Sequence, residues 1–279
     1  MQAAPSHPPA HAFFLAAEPG RRFCLYHPPQ GKCRGAVLHV PAHGEEMNKS
    51  RRMVARQARL LAARGMGVLL LDLYGCGDSE GLSADARWEI WRQDVLLALE
   101  WLRPRTDGPL SLWGLRLGAL LALDAAQART DLGAMLLWQP VTDGASYLTQ
   151  FLRLKLAADM LTANASGADT ASLRAALASG VSLDIAGYTI TPALAQAIDA
   201  ASMGALAAPA CPVHWLDLAP QAGRSMAPGR AAIARRLGDS GWRLDTAAVH
   251  GPAFWSTQEI AEAPALLDAS AGLLVAEAG

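Results

Sequence analysis

The pentapeptide Gly114-Leu115-Arg116-Leu117-Gly118 stands where a short apolar run, Leu110–Trp113, gives way to a helical pattern from about Leu117 to Ala128. A run this short and this apolar suits a strand buried on both faces. Two glycines bracketing one large residue at a strand-to-helix junction let the backbone turn tightly. Ligands of open parallel sheets bind outside the carboxyl ends of the strands. Arg116, at the head of this turn, is therefore placed for function as well as for folding.

The same strand–helix unit repeats on both sides of it. Upstream, Gly35–Val40 reads as a strand ending at Pro41. Arg51–Arg64 carries an apolar stripe (Met53, Ala58, Leu60, Leu61) and closes on Gly65, which predicts a helix with a glycine C-cap. Val68–Leu71 predicts the next strand and Ala86–Leu102 the next helix. Downstream come strands at Ala134–Trp138, Val213–Asp217 and Trp242–Val249, with helices at Ala231–Leu237 and Ile260–Ala276. Phe13–Ala16 and Arg22–His27 flank a Glu-Pro-Gly turn and predict a hairpin at one edge. Together these imply an α/β fold: a mostly parallel sheet of eight strands with helices on both faces. The alternation breaks between 143 and 208, where three helical patterns (Tyr147–Leu161, Thr170–Ser179, Pro192–Met203) and a small hairpin at Val181–Ile190 predict a cap insertion. The expected division is a disordered tail over 1–10, a core over 11–142 and 209–279, and a cap over 143–208.

Composition excludes several function classes. With 279 residues, 52% of them hydrophobic and 18% charged, the chain holds ample material for a large core. A formal charge of −1 and the lack of a basic stripe argue against nucleic acid as a partner. Cys24, Cys33, Cys76 and Cys211 form no C-x-x-C pair, which argues against a zinc ribbon and fits a reducing cytoplasm. No metal or other cofactor is expected. The first residues lack a basic and then apolar leader, and no stretch of 18 apolar residues predicts a membrane span.

Three loops follow predicted strands: His43–Ser50, Asp72–Gly81 and Gly114–Gly118. A His-Gly loop, a helix closing on Leu61-Ala62-Ala63-Arg64-Gly65, and a strand running into Asp72-Leu73-Tyr74-Gly75-Cys76-Gly77-Asp78-Ser79-Glu80-Gly81 together resemble the front half of an α/β hydrolase. In that superfamily Gly114–Gly118 takes the place of the G-x-S-x-G nucleophile elbow. More narrowly, Glu45–Met53, Trp113–Ala119, Leu136–Val141, Leu148–Leu154 and Gly251–Ile260 resemble the hydrolase 2 family associated with exosortase A systems. That resemblance implies a setting in bacterial exopolysaccharide production and protein sorting.

The departure is at the centre of the motif, where Arg116 stands in place of serine. A guanidinium stays protonated and has no lone pair with which to attack. At a helix N-terminus it is suited to an anion. Two readings stay open for it: a ligand anchor, or an internal pair with Glu45, Glu46 or Asp78. The resemblance implies an acid at Asp217, with Asp143 a weaker candidate, and a histidine at His250. It also implies backbone oxyanion donors at Leu117 and near Glu45. Glu45 and Glu46 suit either a general base or salt bridges with Lys49, Arg51 or Arg52. Cys76 and Ser79 are the remaining nucleophile candidates, each equally readable as packing or as a turn residue. Trp113, Trp138, Trp215 and Trp255 lie at or next to strand ends and suit either a pocket wall or the core. Two functions follow: a hydrolase of ester or acyl-transfer type without a serine nucleophile, or a non-catalytic protein binding a small, anionic ligand.

Overall fold

The computed structural model describes residues 9–161 and 169–278. Of the expected tail, residues 1–8 lie outside the described residues.

The strands are β1 (His11–Ala16), β2 (Arg21–His27), β3 (Gly35–Val40), β4 (Met66–Leu71), β5 (Leu110–Leu115), β6 (Leu132–Trp138), β7 (Leu183–Ile185), β8 (Tyr188–Ile190), β9 (Val213–Ala219) and β10 (Leu244–His250). Eight form one sheet in the order β1-β2-β4-β3-β5-β6-β9-β10. β1 and β2 pair antiparallel, as do β2 and β4, and every other neighbour in it is parallel. Every residue of β3 and β5 is buried, which is why both read as unbroken apolar runs rather than alternating ones.

Helices cover both faces. α1 (Glu45–Ala63) and α8 (Pro264–Ala276) pack on one, with Met53, Ala58, Leu61, Leu266, Ala271 and Leu274 against Val37, Val68 and Trp138. α2 (Trp88–Leu102), α3 (Leu117–Ala126) and α7 (Pro228–Asp239) cover the other. Between β6 and β9 the chain builds α4 (Gly144–Leu161), α5 (Thr170–Ala178), the β7–β8 hairpin and α6 (Pro192–Ala200). This segment is called the cap below. The hairpin turns through Ala186 and Gly187, both at positive φ (51° and 85°), the conformation a two-residue turn between right-twisted strands requires.

Some element boundaries differ from the sequence reading. α1 begins at Glu45, not near Arg51, after Gly44 at φ 63°. Glu45 and Glu46 therefore stand in its first turn, where the positive end of the helix dipole favours them. The last helix begins at Pro264 rather than Ile260, because proline lacks the N–H that a first-turn residue would leave unbonded anyway.

From β3 the chain passes through α1 to β4 on one side, and later enters β5 on the other. The sheet thus switches direction between β3 and β5. A parallel sheet opens a crevice at such a point, and the loops flanking it here are Pro41–Gly44 and the Arg116 turn.

Candidate functional site

Arg116 caps α3 with φ 56° and ψ −119°, a left-handed conformation that non-glycine residues avoid. Packing imposes it. A Cβ on Gly118 would lie 2.1 Å from the Pro41 carbonyl oxygen, and one on Gly114 would lie 2.3 Å from Ala119 Cα. The two glycines let α3 start hard against β3, and the residue between them is pushed up out of the turn. The Arg116 N–H donates to Trp138 O at 3.0 Å, and its carbonyl accepts from Ala119 and Val141.

Its guanidinium lies across the floor of a cavity of about 530 Å³. Nε and Nη2 both meet Glu46 Oε1, each at 3.1 Å, and Nη1 donates to Gln139 O at 3.4 Å. The Trp255 ring lies 5.3 Å from the guanidinium carbon, within cation–π range. Glu46 Oε2 is buried and has no hydrogen-bond partner among the described residues. Burial pushes the Glu46 carboxyl above the usual carboxylate range, with Arg116 opposing. Glu45 is exposed and accepts from Asn48 at 3.1 Å and from the Tyr188 hydroxyl at 3.5 Å.

The walls come largely from the cap: Tyr147, Phe151 and Leu154 of α4 and Tyr188 of the hairpin, with Lys49 and Trp255 from the core. His43 Nδ1 and the Tyr147 hydroxyl are 3.1 Å apart. Burial takes the His43 imidazole down to about 4 and raises the Tyr147 phenol well above its ordinary value. Both are therefore neutral near pH 7. Among the described residues no hydrogen bond takes the backbone N–H of Leu117 or Gly118, so the first turn of α3 keeps free donors.

The other sequence candidates are distributed as follows. Asp217 ends in a closed fork: Arg230 Nε reaches Oδ2 at 2.5 Å, Arg230 Nη2 reaches Oδ1 at 2.7 Å, and Trp215 Nε1 donates to Oδ1 at 2.6 Å. His250 is the exposed last residue of β10, and among the described residues no hydrogen bond joins it to Asp217. Neither lines the cavity. The chain after β10 presents Trp255, not His250, to Arg116. Asp143 accepts from the Ser146 N–H at 2.8 Å at the start of α4. Ser79 ties β2 to the chain leaving β4, donating to Asp72 O and accepting from Phe23 N. Burial raises the Cys76 thiol to about 12, which keeps it protonated and unreactive. Of the four strand-end tryptophans, Trp113, Trp138 and Trp215 are fully buried and only Trp255 lines the cavity. The cap aromatics and Lys49 are pocket residues that no motif marked, because a wall assembled from distant helices leaves no local spacing. Among the described residues, no group of three or more His, Cys, Asp or Glu side chains is arranged to hold a metal. No described helix is long and apolar enough to cross a membrane.

The profile of one family, described as serine aminopeptidase, S33, matches residues 31–178. The chain belongs to this family. It is 31% identical over 102 residues to the mitochondrial palmitoyl-protein thioesterase ABHD10 of Homo sapiens, and equally to that of Pongo abelii. Each match covers 37% of this chain and 31% of the relative, so the matched stretch spans under a third of those relatives. Among solved structures, Est1E from Butyrivibrio proteoclasticus superposes with a TM-score of 0.67 at 13% identity, covering 95% of this chain and 98% of that one. Alpha/beta hydrolase domain-containing protein 10 from mouse gives 0.58 at 18%, covering 96% of both. The fold is that of the α/β hydrolases, and it covers the cap as well as the sheet.

Proposed function

We propose that this chain is a member of the α/β-hydrolase superfamily that binds a small acyl compound with an anionic end over Arg116, and that it forms no acyl-serine intermediate. One observation carries this: the elbow presents Arg116, a permanent cation with no lone pair, into the cavity of about 530 Å³. That volume lies within the roughly 300–1,000 Å³ range usual for small-molecule pockets. The closed Asp217–Arg230 fork and the exposed His250 support the same reading, since a working triad needs its acid on its histidine. The aromatic walls suit the body of an acyl chain or a flat ring. The curated relatives are named as thioesterases of palmitoyl-protein, which favours an acyl compound here. The resemblance to the exosortase-associated family favours a role beside exopolysaccharide production or protein sorting.

A second reading keeps chemistry in the pocket: hydrolysis of an ester or thioester by a route that bypasses serine. The free Leu117 N–H favours it, because backbone oxyanion donors do not depend on the side chain at 116. Two measurements separate the readings. A fluorophosphonate probe, which labels activated serines, is expected to leave the wild type unmodified; a stoichiometric adduct would refute the proposal. A panel of aryl esters and acyl thioesters is expected to show no turnover above that of an Arg116→Ala, His250→Ala double variant. Turnover above that level would establish the second reading in place of the first.

A further inference from the structure

The Arg116–Glu46 contact is not built like a pair meant to stay closed. Nε and Nη2 end on the same oxygen, Oε1, although a guanidinium fork matches two carboxylate oxygens, one for each nitrogen. The second oxygen, Oε2, is buried with no donor among the described residues. A buried charged oxygen without a partner is costly, and the upward displacement of the Glu46 carboxyl has the same origin. Arg230 and Asp217, in the same protein, show the saturated geometry that Arg116 and Glu46 lack.

One further cation faces the same cavity. Lys49 lines the cavity and forms no ion pair among the described residues. The remaining walls are Tyr147, Phe151, Tyr188 and Trp255, which suit an apolar or aromatic body rather than a second charge.

We infer that Glu46 occupies the seat of a ligand carboxylate, and that the pocket takes a monocarboxylate with an apolar body by exchanging it for Glu46 on Arg116. The incoming group offers two oxygens to a fork that now grips one, and Glu46 is released toward Lys49 and the open side of the cavity. This rests on Arg116 being the anion anchor, and it adds the identity of the head group and of the side chain it displaces. No bond to carbon is made or broken.

Calorimetric titration with decanoate, and with decanol as the uncharged control, tests it in the full chain. Wild type is expected to prefer decanoate over decanol by at least about tenfold. Glu46→Gln, which keeps the shape and removes the competing charge, is expected to bind decanoate about tenfold more tightly than wild type. Glu46→Ala is expected to do the same and guards against a residual amide contact. Arg116→Ala is expected to lose the preference for the acid. Equal or weaker decanoate binding in both Glu46 variants, with Arg116→Ala still impaired, overturns the exchange and leaves the anchor standing. Undiminished binding in Arg116→Ala, or no decanoate binding by any variant, overturns the anchor and the exchange together.

Discussion

Arg22–Asp94 and Arg116–Glu46 are the same chemical pair used in opposite ways. Both join an arginine to a carboxylate that burial pushes above its ordinary range. The first is closed to solvent, with side chains 0% and 2% exposed, and its spare atom, Arg22 Nη2, is buried on the guanidinium side without a partner among the described residues. Asp94 has both oxygens occupied, by Arg22 Nε at 2.6 Å and the Tyr74 N–H at 2.9 Å. Arg22 also donates to Pro19 O at 2.6 Å and lies over the Tyr74 ring. One pair thus ties the β1–β2 turn, the loop after β4 and α2 together. Arg116–Glu46 leaves an oxygen unclaimed and sits at a cavity wall. A carboxylate with every acceptor filled is scaffold. One with an acceptor empty is available to something else.

The largest effect should come from the sealed pair. Asp94→Ala strands a guanidinium in the core and is expected to cost about 3–5 kcal/mol of stability in urea unfolding. A loss no greater than that of a surface substitution would break the comparison at its scaffold end. Arg230→Ala should come next, at about 2–3 kcal/mol, because it leaves Asp217 buried beside Trp215 with no counter-charge. Acid should act on the core more gently. Burial lowers His39 to about 3 and His43 to about 4 from an ordinary value of 6.5. Both must stay neutral to remain folded, whereas the unfolded chain protonates them. Their contribution is therefore complete above pH 6.5 and drains away as the pH falls toward 4. The melting temperature, followed across that window, is expected to fall less steeply in a His43→Gln variant than in wild type; parallel curves would remove His43 from the account. The smallest effect belongs to the open pair. Glu46→Gln is expected to change stability by no more than about 0.5 kcal/mol, as for a site with little to lose. A loss approaching that of Asp94→Ala would mean that Glu46 is scaffold after all.

Much of the fold is legible in the residues because the central strands of the parallel sheet are buried on both faces, every residue of β3 and β5 and all but one of β4. Val68–Leu71 and Leu110–Trp113 therefore announce themselves as apolar runs between helical patterns. The elbow is legible for a different reason: Gly114 and Gly118 mark a close backbone approach that admits no side chain. The start of α1 is not, since Glu45 and Glu46 carry no apolar period, and only Gly44 at positive φ reveals where the helix begins. The site is legible in part. The Arg116–Glu46 contact lies among the pairings open to Arg116 from its sequence position. The partner of Asp217 is not foreseeable, because Arg230 sits 13 residues on, in a helix whose approach depends on how α7 docks. Tyr147, Phe151 and Tyr188 reach the cavity only through the fold of the cap.

The tight seat of α3 against β3 has a consequence beyond geometry. What forces position 116 into its raised pose is the contact of Gly118 with Pro41 and of Gly114 with Ala119, and neither involves the Arg116 side chain. The turn is a mounting whose shape is independent of what is mounted on it. A protein with such a fixture can exchange the side chain at the tip of the turn in one substitution while keeping its scaffold.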